Sequence, residues 1–210
     1  MANGLLYVLS EPGNVDEAEF HDWYDNEHAP ARTALEEVVA GHRYRAADGQ
    51  RPTWMALYEL PLELLARPEY LRLREERSDR EARIVENLAC LDRMVYEMTE
   101  TSDPKAVLDP APCLIAVSID PGEYGDERLD AWYREEHLAL LRKVPGWRSS
   151  RRFRLVEGPG LPHLALHDWE SEEAFSTDEF RAATSTPWRD EVFAGIAKHD
   201  RRVFRHHRTA

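Results

Sequence analysis

The segment HDWYDNEHAP (residues 21–30) occurs again in a diverged form as DAWYREEHLA (residues 130–139), 109 residues further along the chain. Flanking segments match at nearly the same spacing: LYVLSEPG with IAVSIDPG before the repeated segment, and RYRAADG with RRFRLVEG after it. Agreement over most of both halves indicates an internal duplication of one domain. We therefore divide the chain of 210 residues into a first repeat (1–100), a linker with three prolines (101–112) and a second repeat (113–210).

Each half predicts the same order of elements. The first half begins with an apolar strand that ends at Pro-Gly, followed by a helical segment with apolar residues three and four positions apart. Two strands around an Asp-Gly turn come next. A helix that begins at the capping-box sequence Ser78-x-x-Glu81 then leads to a last strand in which apolar residues alternate. The predicted ranges are 5–10, 16–28, 43–47, 53–60, 78–91 and 94–98. This order, β-α-β-β-α-β, is that of the ferredoxin-like unit.

A ferredoxin-like sheet carries helices on one face and leaves the other face apolar, so that face must be covered. The duplication supplies two such sheets in one chain. We therefore predict an α+β fold in which tandem ferredoxin-like repeats pack their antiparallel sheets face to face as an internal dimeric α/β-barrel. Further association of whole chains into a homodimer stays open.

The repeated segments resemble the EthD-type members of the dimeric α/β-barrel superfamily. The resemblance lies in LDAWYREEHLALLRKVPGW (residues 129–147) and FHDWYDNEHAPARTALEEVVAG (residues 20–41), each with an aromatic pair, a gap and Glu-His. Relatives include cofactor-free monooxygenases, lactone isomerases, polyketide cyclases and dehydratases, and haem enzymes. The resemblance implies a pocket between the sheet and the helices of each half, lined by His28 and His137, for a flat, aromatic or polyketide-derived substrate.

The two histidines are the candidate catalytic residues, because imidazole titrates near neutrality and serves as acid or base. Each directly follows a glutamate, Glu27 or Glu136, which we expect to orient the ring or to set its pKa. Each also lies four residues after a tyrosine, so we expect the histidine to stack on that tyrosine along one helix face. The alternative is structural: a histidine that caps a helix end, beside an aromatic pair that packs in the core.

We favour the first half as the active one, because its motif retains an asparagine and a proline and its strands carry polar aromatic residues. Tyr24 joins Glu27, His28 and His137 as a candidate catalytic residue. The candidate substrate-binding residues are Tyr7, Trp23, Asn26, Arg32, Trp54 and Tyr58 in the first half and Trp132 and Tyr133 in the second. We expect neither a metal nor another cofactor, since no ligand spacing or phosphate-binding loop is evident.

Composition restricts the partners further. A formal net charge of −13 disfavours nucleic acid and anionic lipid. The sequence has no basic N-terminal region before an apolar run and no apolar stretch of ~20 residues, so we expect a cytoplasmic protein. The predicted activity is acid/base catalysis on a small oxygenated molecule, by dehydration, isomerisation or cyclisation. The alternatives are cofactor-free oxygenation of a phenolic or quinone-type substrate, and metabolite binding without catalysis.

Overall fold

The computed structural model describes residues 3–106 and 108–210. Met1 and Ala2 of the predicted first repeat and Val107 of the predicted linker lie outside the described residues. The strands of the first half are β1 (Gly4–Glu11), β2 (Ala40–Ala46), β3 (Trp54–Leu60) and β4 (Cys90–Thr101). Those of the second half are β5 (Cys113–Asp120), β6 (Trp147–Glu157), β7 (His163–Trp169) and β8 (Lys198–Thr209).

The helices follow the same duplication. The first half contains α1 (Glu17–Trp23), a π turn (Tyr24–His28), α2 (Ala29–Thr33), a 3₁₀ turn (Leu62–Ala66), α3 (Pro68–Glu75) and α4 (Asp79–Asn87). The second half contains a 3₁₀ turn (Gly122–Tyr124), α5 (Asp126–Trp132), a π turn (Tyr133–His137), α6 (Leu138–Leu141), a 3₁₀ turn (Glu172–Ser176), α7 (Asp178–Ala183) and α8 (Pro187–Gly195). None of the described helices combines the length and apolarity that crossing a lipid bilayer requires.

The eight strands form one closed antiparallel barrel in the order β1-β3-β2-β8-β5-β7-β6-β4. Two inter-half pairings close it, β2 with β8 and β4 with β6. The predicted fold class, a tandem ferredoxin-like protein that forms an internal dimeric α/β-barrel, is confirmed. Closure pairs each of the described strands on both sides, so none of them presents an unpaired edge to another chain.

Strand alternation divides the apolar side chains into three clusters. One cluster fills the barrel and draws on both halves, with Leu5, Leu57, Leu166 and Phe204 among its members. The other two lie between the outer barrel wall and the helices, one for each half. The space beneath the helices is therefore separate in each half, whereas the barrel interior is shared.

The repeated Trp-Tyr-x-x-Glu-His segment forms a continuous helix with a π turn in its middle. Asp16 caps α1 by accepting a hydrogen bond from the Glu19 amide (3.1 Å), and the helix runs through the π turn into α2. A π turn takes an extra residue, which aligns side chains that are five positions apart. The His28 ring accordingly lies 4.5 Å from Trp23 and 4.9 Å from Tyr24, between ring centroids. The predicted tyrosine neighbour is present, and the tryptophan is slightly closer.

Candidate active site

Each half holds a cavity between the barrel wall and its helices, and the two cavities occupy equivalent positions in the repeat. The first-half cavity has a volume of ≈ 210 Å³ and is lined by His28, Arg32, Tyr58 and Glu81, with Leu6, Val8, Val85 and other residues. The second-half cavity has a volume of ≈ 270 Å³ and is lined by His137, His167, Arg189 and several aromatic residues. Both are smaller than the roughly 300–1,000 Å³ of a typical drug-sized pocket, so each suits a small molecule.

In the first-half cavity a carboxylate holds the histidine. The Nδ1 atom of His28 lies 2.9 Å from Oε1 of Glu81, and both side chains are nearly buried. Glu81 is the third residue of α4, whose N-cap Ser78 accepts a hydrogen bond from the Glu81 amide (3.0 Å). The predicted capping box is thus present on its serine side, while the glutamate side chain bonds to His28. Sequence reasoning identified Glu81 as a cap and missed this contact.

The protonation states of His28 and Glu81 follow from their burial and from the hydrogen bond between them. Burial lowers the pKa of His28 to about 4, and the hydrogen bond with Glu81 opposes that shift. Burial disfavours ionisation of Glu81, but the hydrogen bond with His28 and the nearby guanidinium of Arg32 outweigh it and lower the pKa of the carboxyl group. At neutral pH the ring is therefore neutral and donates from Nδ1 to an ionised carboxylate. Among the described residues none bonds to Nε2, which keeps its lone pair.

Arg32 and Tyr58, both predicted to bind substrate, line the same cavity. Nη1 of Arg32 donates to the backbone carbonyl of His28 (2.8 Å), and its Nη2 lies 3.7 Å from Oε1 of Glu81. The hydroxyl of Tyr58 donates to that of Tyr24 at 3.3 Å. The structure therefore brings a base, a cation and a phenol together, with Tyr24 behind the phenol.

Four other predicted residues do not line the cavity. Tyr7 points into the barrel, where its ring lies 6.2 Å from that of Tyr96, because alternate residues of β1 face opposite sides. Trp54 is buried against the imidazole of His21, with ring centroids 4.4 Å apart, and Trp23 packs behind His28. Asn26 is exposed, and its side-chain amide donates a hydrogen bond to the carboxylate of Asp22 (2.8 Å). These four residues lie away from the lining of the cavity, and contact of any of them with substrate stays a prediction.

The glutamates of the Glu-His pairs join helices together. The carboxylate of Glu27 accepts a hydrogen bond from the hydroxyl of Ser78, the N-cap of α4. Glu136 accepts one from Thr186, the N-cap of α8, at 2.5 Å. Each glutamate thus fastens the π turn to the start of the next long helix. The carboxylate that contacts His28 is that of Glu81, not that of Glu27 as the sequence suggested.

In the second half, other residue types stand at the positions of the two polar partners of His28. Arg189 is the third residue of α8 and stands where α4 has Glu81, and Leu141 stands four residues after His137, where the first half has Arg32. Burial lowers the pKa of His137 to about 4, a backbone hydrogen bond with Ala183 opposes this, and Nδ1 has no partner among the described residues. His137 therefore lacks the carboxylate that orients its counterpart.

His167 stands where the first half has Tyr58, as the fifth residue of its strand. Its Nδ1 lies 2.8 Å from the Ser150 hydroxyl, and its Nε2 has no partner among the described residues. Burial holds the pKa of this ring well below its usual value, and the nearby His137 adds to the effect. Both rings are thus neutral at pH 7. His137 stacks on Trp132, with ring centroids 4.3 Å apart and planes 20° apart.

No family model matches the sequence, and no curated protein matches it. Solved structures do. An anthrone oxidase-like protein is 16% identical with a TM-score of 0.66, over 99% of this chain and 92% of that one. A putative monooxygenase from Fusobacterium nucleatum is 8% identical with a TM-score of 0.65 (99% and 94%), and a putative chlorite dismutase is 15% identical with a TM-score of 0.65 (97% and 95%). At these identities the likeness establishes the fold: the chain is built as a dimeric α/β-barrel whose two sheets belong to one polypeptide.

Proposed function

We propose that the protein is a cofactor-independent enzyme that binds a small oxygenated molecule, aromatic or polyketide-derived, in the first-half cavity and uses His28 as a general base. The observation that carries the proposal is the hydrogen bond from Nδ1 of His28 to the buried carboxylate of Glu81. A carboxylate in this place fixes the tautomer with the lone pair on Nε2 and stabilises the imidazolium that forms on proton transfer.

In the proposed reaction Nε2 takes a proton from an acidic C–H or O–H group of the substrate. The electron pair stays on the substrate as an enolate or phenolate, and the proton stays on the ring. An imidazole with a pKa of about 4 is a weak base in the empty cavity. Because a substrate anion beside the ring favours the charged imidazolium, proton transfer raises that pKa. Arg32 supplies positive charge for the developing oxyanion, and the hydroxyl of Tyr58 donates a hydrogen bond to it by turning away from the hydroxyl of Tyr24.

Two fates of the anion remain candidates. In the first, His28 returns its proton at another atom, which gives isomerisation or cyclisation, or protonates a departing hydroxyl group, which gives dehydration. In the second, the carbanion transfers one electron to O₂ and the two radicals combine in a C–O bond to give a peroxide. Cleavage of its O–O bond then leaves one oxygen atom in a new carbonyl group and releases the other as water, so that one O₂ is consumed for each CH₂ group oxidised. The names of the similar structures, an anthrone oxidase-like protein and putative monooxygenases, favour the second fate. A protein that binds the same molecule and returns it unchanged is the non-catalytic alternative.

The test compares His28→Ala, Glu81→Gln and the matched second-half variant His137→Ala. Each is incubated with anthrones, hydroxynaphthoic acids and lactones, and product formation and oxygen uptake are both recorded. We expect kcat to fall about 10²- to 10⁴-fold in His28→Ala, which is the usual contribution of a general base. The kcat of Glu81→Gln should fall less, and that of His137→Ala should stay close to the value of the unmodified protein.

Oxygen uptake equal to product formed selects the oxygenase, whereas product formed at the same rate without oxygen selects the lyase or isomerase. Unchanged turnover in His28→Ala contradicts the mechanism. An equal loss in His28→Ala and His137→Ala contradicts the assignment to the first half.

A further inference from the structure

The second-half cavity is built mainly from aromatic rings. Its lining includes Trp132, Tyr133, Trp169, Phe180 and Phe193, together with Ile115, Val117 and Leu141. The equivalent lining of the first half has valine where this half has phenylalanine, Val85 against Phe193. Flat aromatic walls in a cavity of ≈ 270 Å³ favour a planar ring as the ligand.

The formal charges around this aromatic cavity are positive. Arg189 and Arg201 both line it, and none of the lining residues that the structure describes is a carboxylate. Arg189 lies over the ring of Phe193 at 4.3 Å and reaches only the exposed Asp190, at 3.3 Å. Arg201 forms no direct ion pair in the described part of the chain, and the carboxylate that acts on it at longer range, that of Asp48, is bonded to Arg202 at 3.1 Å. Two guanidinium groups without a direct, buried ion pair therefore line this cavity in a chain of net charge −13.

The histidines of this cavity suit binding better than proton transfer. Three histidines line the cavity, and two of them, His137 and His167, have no carboxylate partner among the described residues. Nδ1 of His137 and Nε2 of His167 are buried without a hydrogen bond in that part of the chain. Buried, unpaired nitrogen atoms of this kind call for an explanation. Without an orienting carboxylate, these rings form part of the cavity wall and are not placed as acid/base groups.

We propose that the second-half cavity is a separate binding site for a planar aromatic carboxylate of one or two rings, with its rings between Trp132, Phe180 and Phe193 and its carboxylate held by Arg189 and Arg201. The duplication thereby produced two different sites: a cavity in which four arginines accompany Glu81 and the imidazole that it orients, and an aromatic cavity in which two arginines face no lining carboxylate among the described residues. This inference does not depend on the proposed function, because it concerns the other half and requires no reaction.

The experiment measures binding of 2-naphthoate to the full chain by titration calorimetry. Thr184 lines the second-half cavity at the position where the first half has the long side chain of Arg74, so Thr184→Trp is designed to fill that cavity. Val85→Phe fills the first-half cavity with the residue type that the second half carries naturally. The double variant R189A/R201A removes the two cations. Its control, R181A/R205A, removes the same charge from exposed ion pairs outside the cavity.

We expect one 2-naphthoate site of the unmodified protein to be lost in Thr184→Trp and retained in Val85→Phe. R189A/R201A should weaken that site at least about tenfold, the least expected when charge-assisted hydrogen bonds are removed, and the control should not. The neutral analogue 2-naphthalenemethanol should bind about tenfold more weakly than 2-naphthoate for the same reason. If Thr184→Trp does not fold, the two arginine variants and the neutral analogue still decide.

Three results would overturn the proposal. The first is no measurable binding of 2-naphthoate at millimolar concentration. The second is binding that Val85→Phe abolishes and Thr184→Trp leaves unchanged, which would place the ligand in the first half. The third is equal affinity for the acid and for the neutral analogue, or equal affinity in both arginine double variants, which would leave the cations without a role.

Discussion

Acid should destabilise this protein through its buried neutral histidines, and His137 gives the cleanest case because it has no carboxylate partner. Burial lowers its pKa from 6.5 to about 4. The folded state therefore binds fewer protons than the unfolded state between these two values. The stabilisation is fully present above pH 6.5 and is lost as the pH falls towards 4. At 1.36 kcal/mol for each pKa unit, the shift corresponds to about 3 kcal/mol of unfolding free energy.

The measurement is urea unfolding at a series of pH values between 7 and 4, for the unmodified protein, His137→Asn and the control Leu141→Ala. Asparagine cannot take up a proton. Between pH 7 and pH 4 the unfolding free energy of His137→Asn should therefore fall by about 3 kcal/mol less than that of the unmodified protein. Leu141 packs in the same half without a titratable group. Its truncation should lower stability by about 2–5 kcal/mol at every pH, parallel to the unmodified protein. If the His137→Asn curve is also parallel, its imidazole is not held neutral by burial and the reasoning fails.

Two further comparisons test the site and the fold by the same unfolding assay. Glu81→Ala leaves the neutral ring of His28 without its acceptor and the nearly buried guanidinium of Arg32 without its carboxylate, and it should cost about 3–5 kcal/mol. Arg83→Ala breaks an exposed pair and should cost at most about 1 kcal/mol; similar losses would show that the carboxylate is not buried and coupled. Gly158→Ala places a Cβ 2.3 Å from a backbone oxygen at φ +106° and should lower the unfolding free energy by at least about 2 kcal/mol. Gly49→Ala, at φ +72° with open space around it, should lower it by about 1 kcal/mol. Equal losses of stability would contradict the close packing at Gly158.

The fold could be predicted from the sequence because its determinants are repeated and local. Strand periodicity and Pro-Gly turns recur at a constant offset, and a sheet with helices on one face requires a cover for the other. Which face each strand residue occupies could not be predicted for β1, whose apolar run, Leu5 to Leu9, has no polar alternation to indicate a buried and an exposed side. The sequence predicts Tyr7 as a residue of the pocket under the helices, whereas its side chain lies inside the barrel.

The candidate site could be predicted only in part, because its main contact joins residues 53 positions apart. The Glu-His pair is adjacent in sequence, which made Glu27 the apparent partner of His28. Adjacent residues on a helix point about 100° apart, however, so Glu27 faces the start of α4 and bonds to Ser78. The useful signal was already present in the capping box, since a glutamate at the third position of α4 can reach either its own helix start or a neighbouring helix.

The two halves separate what preserves the fold from what determines the chemistry. In both, the glutamate before the histidine bonds to the N-cap hydroxyl of the following helix, so the same contact docks the π turn on α4 and on α8. The halves differ three residues further, where Glu81 becomes Arg189. A carboxylate at this position fixes the imidazole tautomer and makes it more basic, while a guanidinium does neither and instead attracts an anion. Packing therefore explains why both halves retain the Trp-Tyr-x-x-Glu-His segment, and the third residues of α4 and α8 give the two histidines different surroundings.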